Sequence, residues 1–194
     1  SEDSSHKYLD NIVNQVDTMS DMMKNVLELS KIKKSEIELK KIEVDLLINK
    51  LAEDSKVSFD APHTEIIIEN TPEVLGNPTM VYQVFGNVIG NAIKYSSKSS
   101  NPTVKIIGEV FNNEVTYKIT DNGIGIDKKD ADKMFKIFSR MSNAKAFNGN
   151  GVGLNIVQHL MEKMGGAISY ESESGVGTTF ILKFKKPDYD FSIS

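Results

Sequence analysis

The chain has 194 residues, 39% of them apolar, enough to bury one core with an appendage. Its formal charge of -4, with acidic and basic residues interspersed, excludes the basic stripe of a nucleic-acid binder. The absence of cysteine excludes a disulfide framework and a thiolate metal site, and fits a reducing setting. No apolar run approaches a membrane span and no signal-peptide pattern opens the chain, so no membrane contact is expected. A start at Ser1 rather than Met suggests an excised piece of something longer.

From about Tyr8 to Lys33 the pattern is helical. Leu9, Ile12, Val16, Met19, Met23 and Val26 recur at alternating steps of three and four, a heptad seam. Val13, Met22 and Leu29 widen that stripe, which suits a helix bundle and demands partners. Its methionines read as core rather than cofactor ligands. Lys31, Lys33 and Lys34 mark the helix end. Ile37 to Lys40 alternates like a short strand, and Val44 to Lys56 reads as an amphipathic helix. Glu65 to Glu69 is a β-branched strand closed by Asn70-Thr71-Pro72. Pro78 suits the first turn of a helix whose strong part runs from Met80 to Tyr95.

Ser96 to Pro102 is a polar loop. Val104 to Phe111 and Val115 to Thr120 are strands around the hairpin dipeptide Asn112-Asn113. Asp121 to Asn150 is polar and glycine-punctuated, broken by an apolar patch from Met134-Phe135 to Phe138. Gly153 to Met164 is a helix stopped by Gly165-Gly166. Ala167 to Glu171 and Thr178 to Phe184 are strands, and the tail after Pro187 is expected to fray. The sequence holds no internal repeat.

Asn87, Asn91 and Lys94 share one helix face, with Tyr95 beside them, while Val84, Val88, Ile89 and Ala92 face the core. Carboxamide oxygens are hard neutral ligands that suit Mg2+, and an adjacent lysine can take a phosphate oxygen. Solvated asparagines on an amphipathic helix would give the same pattern. Asp121 ends a strand and opens Asp-Asn-Gly-Ile-Gly. An ionised carboxylate only accepts hydrogen bonds, so it could take one from an exocyclic amine such as adenine N6. Gly123 and Gly125 would let a base approach the backbone; an ordinary Asp-Asn-Gly turn is the plainer alternative.

Ser139 to Asn150 carries Arg140 and Lys145 among small polar residues, as a mobile lid anchored by Phe135 and Phe138 would. A loop with merely solvated charges is the alternative. Gly149-Asn150-Gly151-Val152-Gly153-Leu154 then runs straight into a helix. Such a junction aims backbone N–H groups and a helix N-terminus at one spot, which suits a phosphate. Gly175-Val176-Gly177-Thr178-Thr179 adds hydroxyls near the same strands.

Taken in order, these stretches resemble the sensor histidine kinases. Asn87 to Tyr95 is similar to their N box and Asp121 to Gly125 to the G1 box. Phe135 to Phe138 with Arg140 is similar to the F box, Gly149 to Gly153 to G2, and Gly175 to Thr178 to the final glycine box. Five motifs in family order across roughly Lys41 to Phe184 make a chance match negligible. The wider superfamily is the GHKL ATPases, with gyrase B, Hsp90 and MutL.

The resemblance implies an α/β fold: a two-layer sandwich of a mixed, mostly antiparallel sheet with helices on one face, after a long N-terminal helix. It implies domains at 1–35 (second helix only of a dimerisation hairpin), 36–187 (catalytic, ATP-binding) and a tail at 188–194. ATP and Mg2+ are the implied cofactors. Asn87 and Asn91 would hold the metal, and Lys94 and Tyr95 would contact phosphates. Asp121 would read the adenine amine, with Gly123 and Gly125 beside it and Thr178 supporting through water. Arg140 would reach the γ-phosphate when the lid closes, Gly151 and Gly153 would give backbone N–H groups to the phosphates, and Gly149 and Leu154 would also be cofactor-binding. Asn87, Lys94 and Arg140 would be the catalytic set. The implied partners are a response-regulator receiver domain, a dimerisation helix carrying the acceptor His, and a second copy in a full-length homodimer. A cytoplasmic location is implied, including as the cytoplasmic part of a membrane-anchored sensor.

One departure is informative. Hydrolytic members of the superfamily place a Glu four residues before the metal Asn as general base for water. Here that position is Asn87, which cannot take a proton at neutral pH. Phosphoryl transfer to another nucleophile asks mainly for positioning and charge stabilisation, and suits such a site. None of His6, His63 and His159 carries the H-box pattern, so the acceptor helix is expected to lie outside this chain. The alternative is a catalytically silent nucleotide-binding regulatory module. A GHKL ATPase fits less well for want of the Glu. An anti-sigma-type Ser kinase fits less well because the heptad helix suits a dimerisation hairpin.

Overall fold

The computed structural model describes residues 36–136, 142–144, 147 and 153–188, and positions 12, 13, 16, 19, 20, 23 and 27. Expectations resting on His6, Leu9, Met22, Val26, Leu29, Phe138, Arg140, Lys145, Gly149, Asn150, Gly151 and the last six residues lie outside these. The described positions 12 to 27 are helical, and their apolar members Ile12, Val13, Val16, Met19, Met23 and Leu27 are exposed.

Helix α1 spans Asp45–Ser58, α2 spans Pro78–Ser96 and α3 spans Gly153–Lys163. The strands are β1 Lys40–Ile42, β2 Glu65–Glu69, β3 Val74–Gly76, β4 Thr103–Phe111, β5 Glu114–Asp121, β6 Ala167–Glu173 and β7 Gly177–Lys185. Helix α2 starts where its caps dictate. The Asn77 side chain accepts from the Met80 N–H at 3.2 Å, and Pro78, which has no N–H to lose, takes the first turn. Helix α3 ends on a Schellman pair: Gly165, at φ +72°, donates to the Glu162 carbonyl, and Gly166 donates to that of Met161.

All seven strands form one sheet in the order β1-β3-β7-β5-β4-β2, with β6 also paired to β7. Only β2 and β4 run parallel, because the chain crosses over through α2 between them; every other pair is antiparallel. The β4–β5 hairpin turns on Asn112-Asn113, with Asn112 at φ +52°. Alternation sorts the two faces. Val104 and Ile106 on β4, Val115, Tyr117 and Ile119 on β5, and Phe180, Leu182 and Phe184 on β7 are buried under the helices. The other face carries ion pairs, Lys105–Glu69, Lys118–Glu109 and Lys183–Glu114, as a solvated surface should. Phe85 of α2 anchors the layers, edge-on to Tyr117 at 5.1 Å and stacked on Phe184 at 5.8 Å.

The sandwich expected from the resemblance is therefore present, with differences at the edge. The strand expected at Ile37 to Lys40 lies instead at Lys40–Ile42, and its partner β3 is one the sequence did not announce. Val74–Gly76 is too short for alternation to register. The pairing of Lys40 with Gly76 through Ile42 with Val74 sets where β1 forms, and Ile37 and Leu39 pack against the core ahead of it.

Candidate active site

Period two carries the inward face of β5 through Val115, Tyr117 and Ile119 to Asp121, the last residue of the strand. The alternation thus delivers a carboxylate, 5% exposed, to a position facing the helix layer. Opposite it in register on β7 is Thr178, also buried. The Gly123 N–H donates to Asp121 Oδ1 at 2.8 Å, and the Thr178 backbone hydrogen-bonds the same carboxyl. Burial outweighs those two bonds and pushes the Asp121 carboxyl up to about 6.

Asp121 lines a cleft between the sheet end and the helices. Five residues expected from the sequence meet there: Tyr95, Asp121, Gly125, Leu154 and Thr178. Ile124, Ile126 and Phe180 complete the lining. Gly125 sits at φ +62°, where a Cβ would run into the Glu173 carbonyl oxygen, so this wall is backbone against backbone. Ser172 orients the rim, accepting from the Ile126 N–H at 3.0 Å and lying 2.9 Å from the Thr178 hydroxyl. The cleft is thus largely apolar, with the Asp121 carboxylate and the Thr178 hydroxyl side by side in its lining. That is the composition a purine-sized ring with an exocyclic donor requires.

The second group lies along α2. The Asn87 amide donates to the Gln83 carbonyl at 2.8 Å, which leaves Oδ1 turned off the helix. It turns toward Gly153, at the first turn of α3, where a Cβ would come to 2.5 Å from it. Asn91 is half-buried one turn on, on the same face. Lys94, only 9% exposed, holds its ammonium 5.0 Å from the Tyr95 ring centroid and 6.0 Å from that of Phe59. Two ring faces thus compensate part of the cost of burying that cation. Tyr95 joins the groups, since it lines the cleft, and a Cβ on Gly123 would strike its carbonyl. The donor chemistry fits Mg2+ only as a weakly protein-bound ion. Among the described residues no cluster of three His, Cys, Asp or Glu could hold a metal, so carboxamide oxygens and a ligand's phosphates would have to.

Residues 76–188 match the family described as histidine kinase-, DNA gyrase B- and HSP90-like ATPases. The chain belongs to this family. It is 32% identical over 168 residues to cyanobacterial phytochrome A of Nostoc sp., which covers 87% of this chain and 22% of that protein. It is 29% identical to the sensor-like histidine kinase SenX3 of Mycolicibacterium smegmatis, over 96% of this chain and 49% of the other. Among solved structures, its fold is similar to full-length ShkA in complex with AMPPNP, with TM-score 0.72, 22% identity, and 95% and 40% of the two chains covered. It is likewise similar to the Acinetobacter baumannii histidine kinase AdeS, with TM-score 0.72, 22% identity, and 93% and 84% covered. The chain spans less than half the length of the curated relatives named here.

Two of the three histidines are among the described residues. His63 is exposed in a turn, and His159 Nδ1 lies 2.9 Å from the Asn155 carbonyl within α3. Sequence reasoning missed Phe59, which reaches Lys94 from beyond α1, and Phe147, whose ring meets Tyr95 edge-on at 5.2 Å with the Lys98 ammonium 4.8 Å from its centroid. It also missed Asp130 and Ser142. No helix among the described residues is long and apolar enough to cross a membrane.

Proposed function

We propose that this chain is the catalytic, ATP-binding part of a sensor histidine kinase. It binds Mg-ATP and passes the γ-phosphoryl group to a histidine on a dimerisation helix, for relay to a response-regulator aspartate. The observation that carries the reading is Asp121, a buried carboxylate facing Thr178 in an apolar cleft. Ionised, it accepts a hydrogen bond from an exocyclic amine and rejects a carbonyl at the same place, which selects adenine over guanine.

Away from Asp121 the groups change from base-reading to phosphate-holding. Lys94 brings a cation that Tyr95 and Phe59 keep from straying into solvent. Asn87 Oδ1 and Asn91 would hold the metal. Bound Mg2+ would supply neutralisation of charge on the β- and γ-phosphate oxygens. Gly149, Gly151 and Gly153 would offer backbone N–H groups and Arg140 a second cation, as their motifs imply. Asn87 offers no basic atom to deprotonate water, and its NH2 is engaged by Gln83. The site therefore suits a nucleophile that arrives already basic, such as a neutral imidazole, rather than water. The exposed apolar positions Ile12, Val16, Met19 and Met23 support pairing of the N-terminal helix with an acceptor-bearing helix and with a second copy. The names of the relatives, sensor-like histidine kinase and phytochrome, support a signalling parent located in the cytoplasm or anchored to a membrane.

The test is calorimetric titration with ATP and Mg2+, followed by incubation with γ-labelled ATP and a separately made, histidine-bearing dimerisation hairpin. Binding followed by acid-labile label on the hairpin is expected. Tight binding with no transfer to any hairpin would instead favour a silent regulatory module, and label on His6 of this chain would overturn the expectation of an acceptor elsewhere.

A further inference from the structure

One buried carboxylate has no place in the reading above. Asp130 lies in the 3-10 turn Lys128–Lys133 and is 1% exposed. Its Oδ2 accepts two hydrogen bonds from a single residue twelve positions on, from the Ser142 N–H at 2.7 Å and from the Ser142 hydroxyl at 2.7 Å. Its Oδ1 takes the Lys133 ammonium at 3.0 Å. The Ser142 hydroxyl also lies 3.3 Å from Asp127, whose other oxygen accepts from Ser174 on the β6–β7 turn at 2.5 Å. Two residues before Ser174, Ser172 touches both Ile126 and Thr178 of the cleft.

Chemistry makes Ser142 the natural mate of this carboxylate. A buried carboxylate is costly unless its lone pairs are filled, and two of the three donors to Asp130 come from Ser142. Releasing Ser142 would strip the carboxylate of two of these three donors, so the fastened state is favoured. These bonds also hold the Asp130 carboxyl well below the usual carboxylate range, the Ser142 hydroxyl contributing most. At neutral pH the carboxyl is ionised and holds.

Ser142–Ala144 is a short 3-10 turn whose Ala144 carbonyl accepts from the Phe147 N–H at 3.1 Å, and these four residues make the described part of a strap. Phe147 is buried, edge-on to Tyr95 at the cleft and covered by Lys98. The strap is thus fastened on two sides: by the carboxylate on the turn after Gly125, and by the aromatic ring at the end of α2. Resting on the nucleotide-site reading above, we infer that Asp130 is a positioning residue for nucleotide retention: by clasping Ser142 it holds the strap against Tyr95 at the rim of the cleft. It touches no nucleotide itself.

The test uses the full chain with Ser142→Ala, Ser142→Thr, Asp130→Asn and the Asp130→Asn/Ser142→Ala double variant. Dissociation of a fluorescent ATP analogue is followed by stopped flow, and amide hydrogen exchange over residues 142–147 is measured without nucleotide. Removing the hydroxyl or the carboxylate should speed nucleotide release roughly tenfold, the worth of a charge-assisted hydrogen bond. The double variant should be no worse than the more severe single, because both cut the same clasp. Ser142→Thr, which keeps the hydroxyl, should restore slow release, a rescue that a general loss of fold would not show. Wild-type release in Ser142→Ala, or effects that multiply in the double variant, would overturn the inference. If Asp130→Asn does not fold, Ser142→Ala and Ser142→Thr decide. If wild type binds no ATP, the functional reading fails. The clasp is then judged alone by exchange, which must quicken over 142–147 in Ser142→Ala and stay slow in Ser142→Thr.

Discussion

Asp121 and Thr178 form the cleft-end register pair of β5 and β7, and both turn inward where the pairs before them are apolar. The sheet therefore ends, on its core face, in a carboxylate opposite a hydroxyl. Fold and recognition oppose each other at this pair, because the charge that reads a ligand is the charge that burial penalises.

The conflict has a sign that can be measured. The Asp121 carboxyl titrates from 3.8 when free and at about 6 in the fold, so between those values the folded state holds the extra proton. Its contribution to stability is present in acid and is lost as pH rises from about 4 to about 6, by about 3 kcal/mol in total. Asp127 and Asp130, held low by their hydroxyl donors, act in the opposite direction, so the difference from Asp121→Asn isolates the group. That variant is expected to unfold in urea with a flatter pH profile and to be at least as stable as wild type at pH 7. It should bind Mg-ATP more than tenfold more weakly, because an amide can present a donor to a donor. Parallel profiles for the two proteins would assign the titration elsewhere.

Gly153 and Asn87 meet where α3 begins, and the absence of one methyl group keeps them apart. A Cβ at position 153 would sit 2.5 Å from Asn87 Oδ1, the atom we propose would hold the metal. Gly153→Ala should therefore displace the carboxamide while leaving the sheet intact, costing about 1–3 kcal/mol of stability as overpacking does. Affinity for ATP should fall severalfold in Mg2+ and change little in EDTA, since only the metal contact is disturbed. Equal losses in both conditions would place the damage at the phosphate N–H groups instead. Isothermal titration in the two buffers separates these outcomes.

How far this site was legible in the sequence depends on the range of the pattern. Asp121, Gly125, Thr178, Tyr95 and Leu154 sit inside short motifs whose local geometry nearly fixes their direction, and all five line the cleft. Asn87, Asn91 and Lys94 follow from helical period alone. Phe59 could not be foreseen, because its approach to Lys94 depends on how α1 packs on α2. Asp130 was hidden by its setting, a run of alternating charges from Asp127 to Lys133 that reads as a solvated turn. Its partner Ser142 comes back to it from twelve residues on, a contact with no periodic signature. Strand β3 was missed for a different reason, since three residues are too few to show alternation.

Tyr117 offers a control that separates fold from function. Its ring is fully buried against Phe85, and its hydroxyl donates to the Pro72 carbonyl at 2.5 Å, far from the cleft lining. Burial raises the phenol well above its ordinary value, with the Asp45 charge adding to the shift, so it stays neutral and a donor. Tyr117→Phe keeps the ring and strands the Pro72 carbonyl. It should cost about 1–2 kcal/mol, or roughly 2–8 °C in Tm for a domain of this size, with ATP affinity unchanged. A loss of affinity beyond twofold would mean that the β5 core and the cleft are coupled.

Lys94 tests the phosphate side without disturbing the core. Met has nearly the length of Lys, keeps contact with the Tyr95 and Phe59 rings, and carries no charge to bury. The Tm of Lys94→Met is measured alongside binding, so that any loss of fold is separated from loss of the charge. Affinity for ATP should drop about tenfold, the worth of a single charge-assisted contact, while adenosine binds as before. An equal loss for ATP and adenosine would show that Lys94 acts by holding Tyr95 in the cleft wall, not by meeting a phosphate. A loss confined to ATP would place the phosphate group beside the last turn of α2.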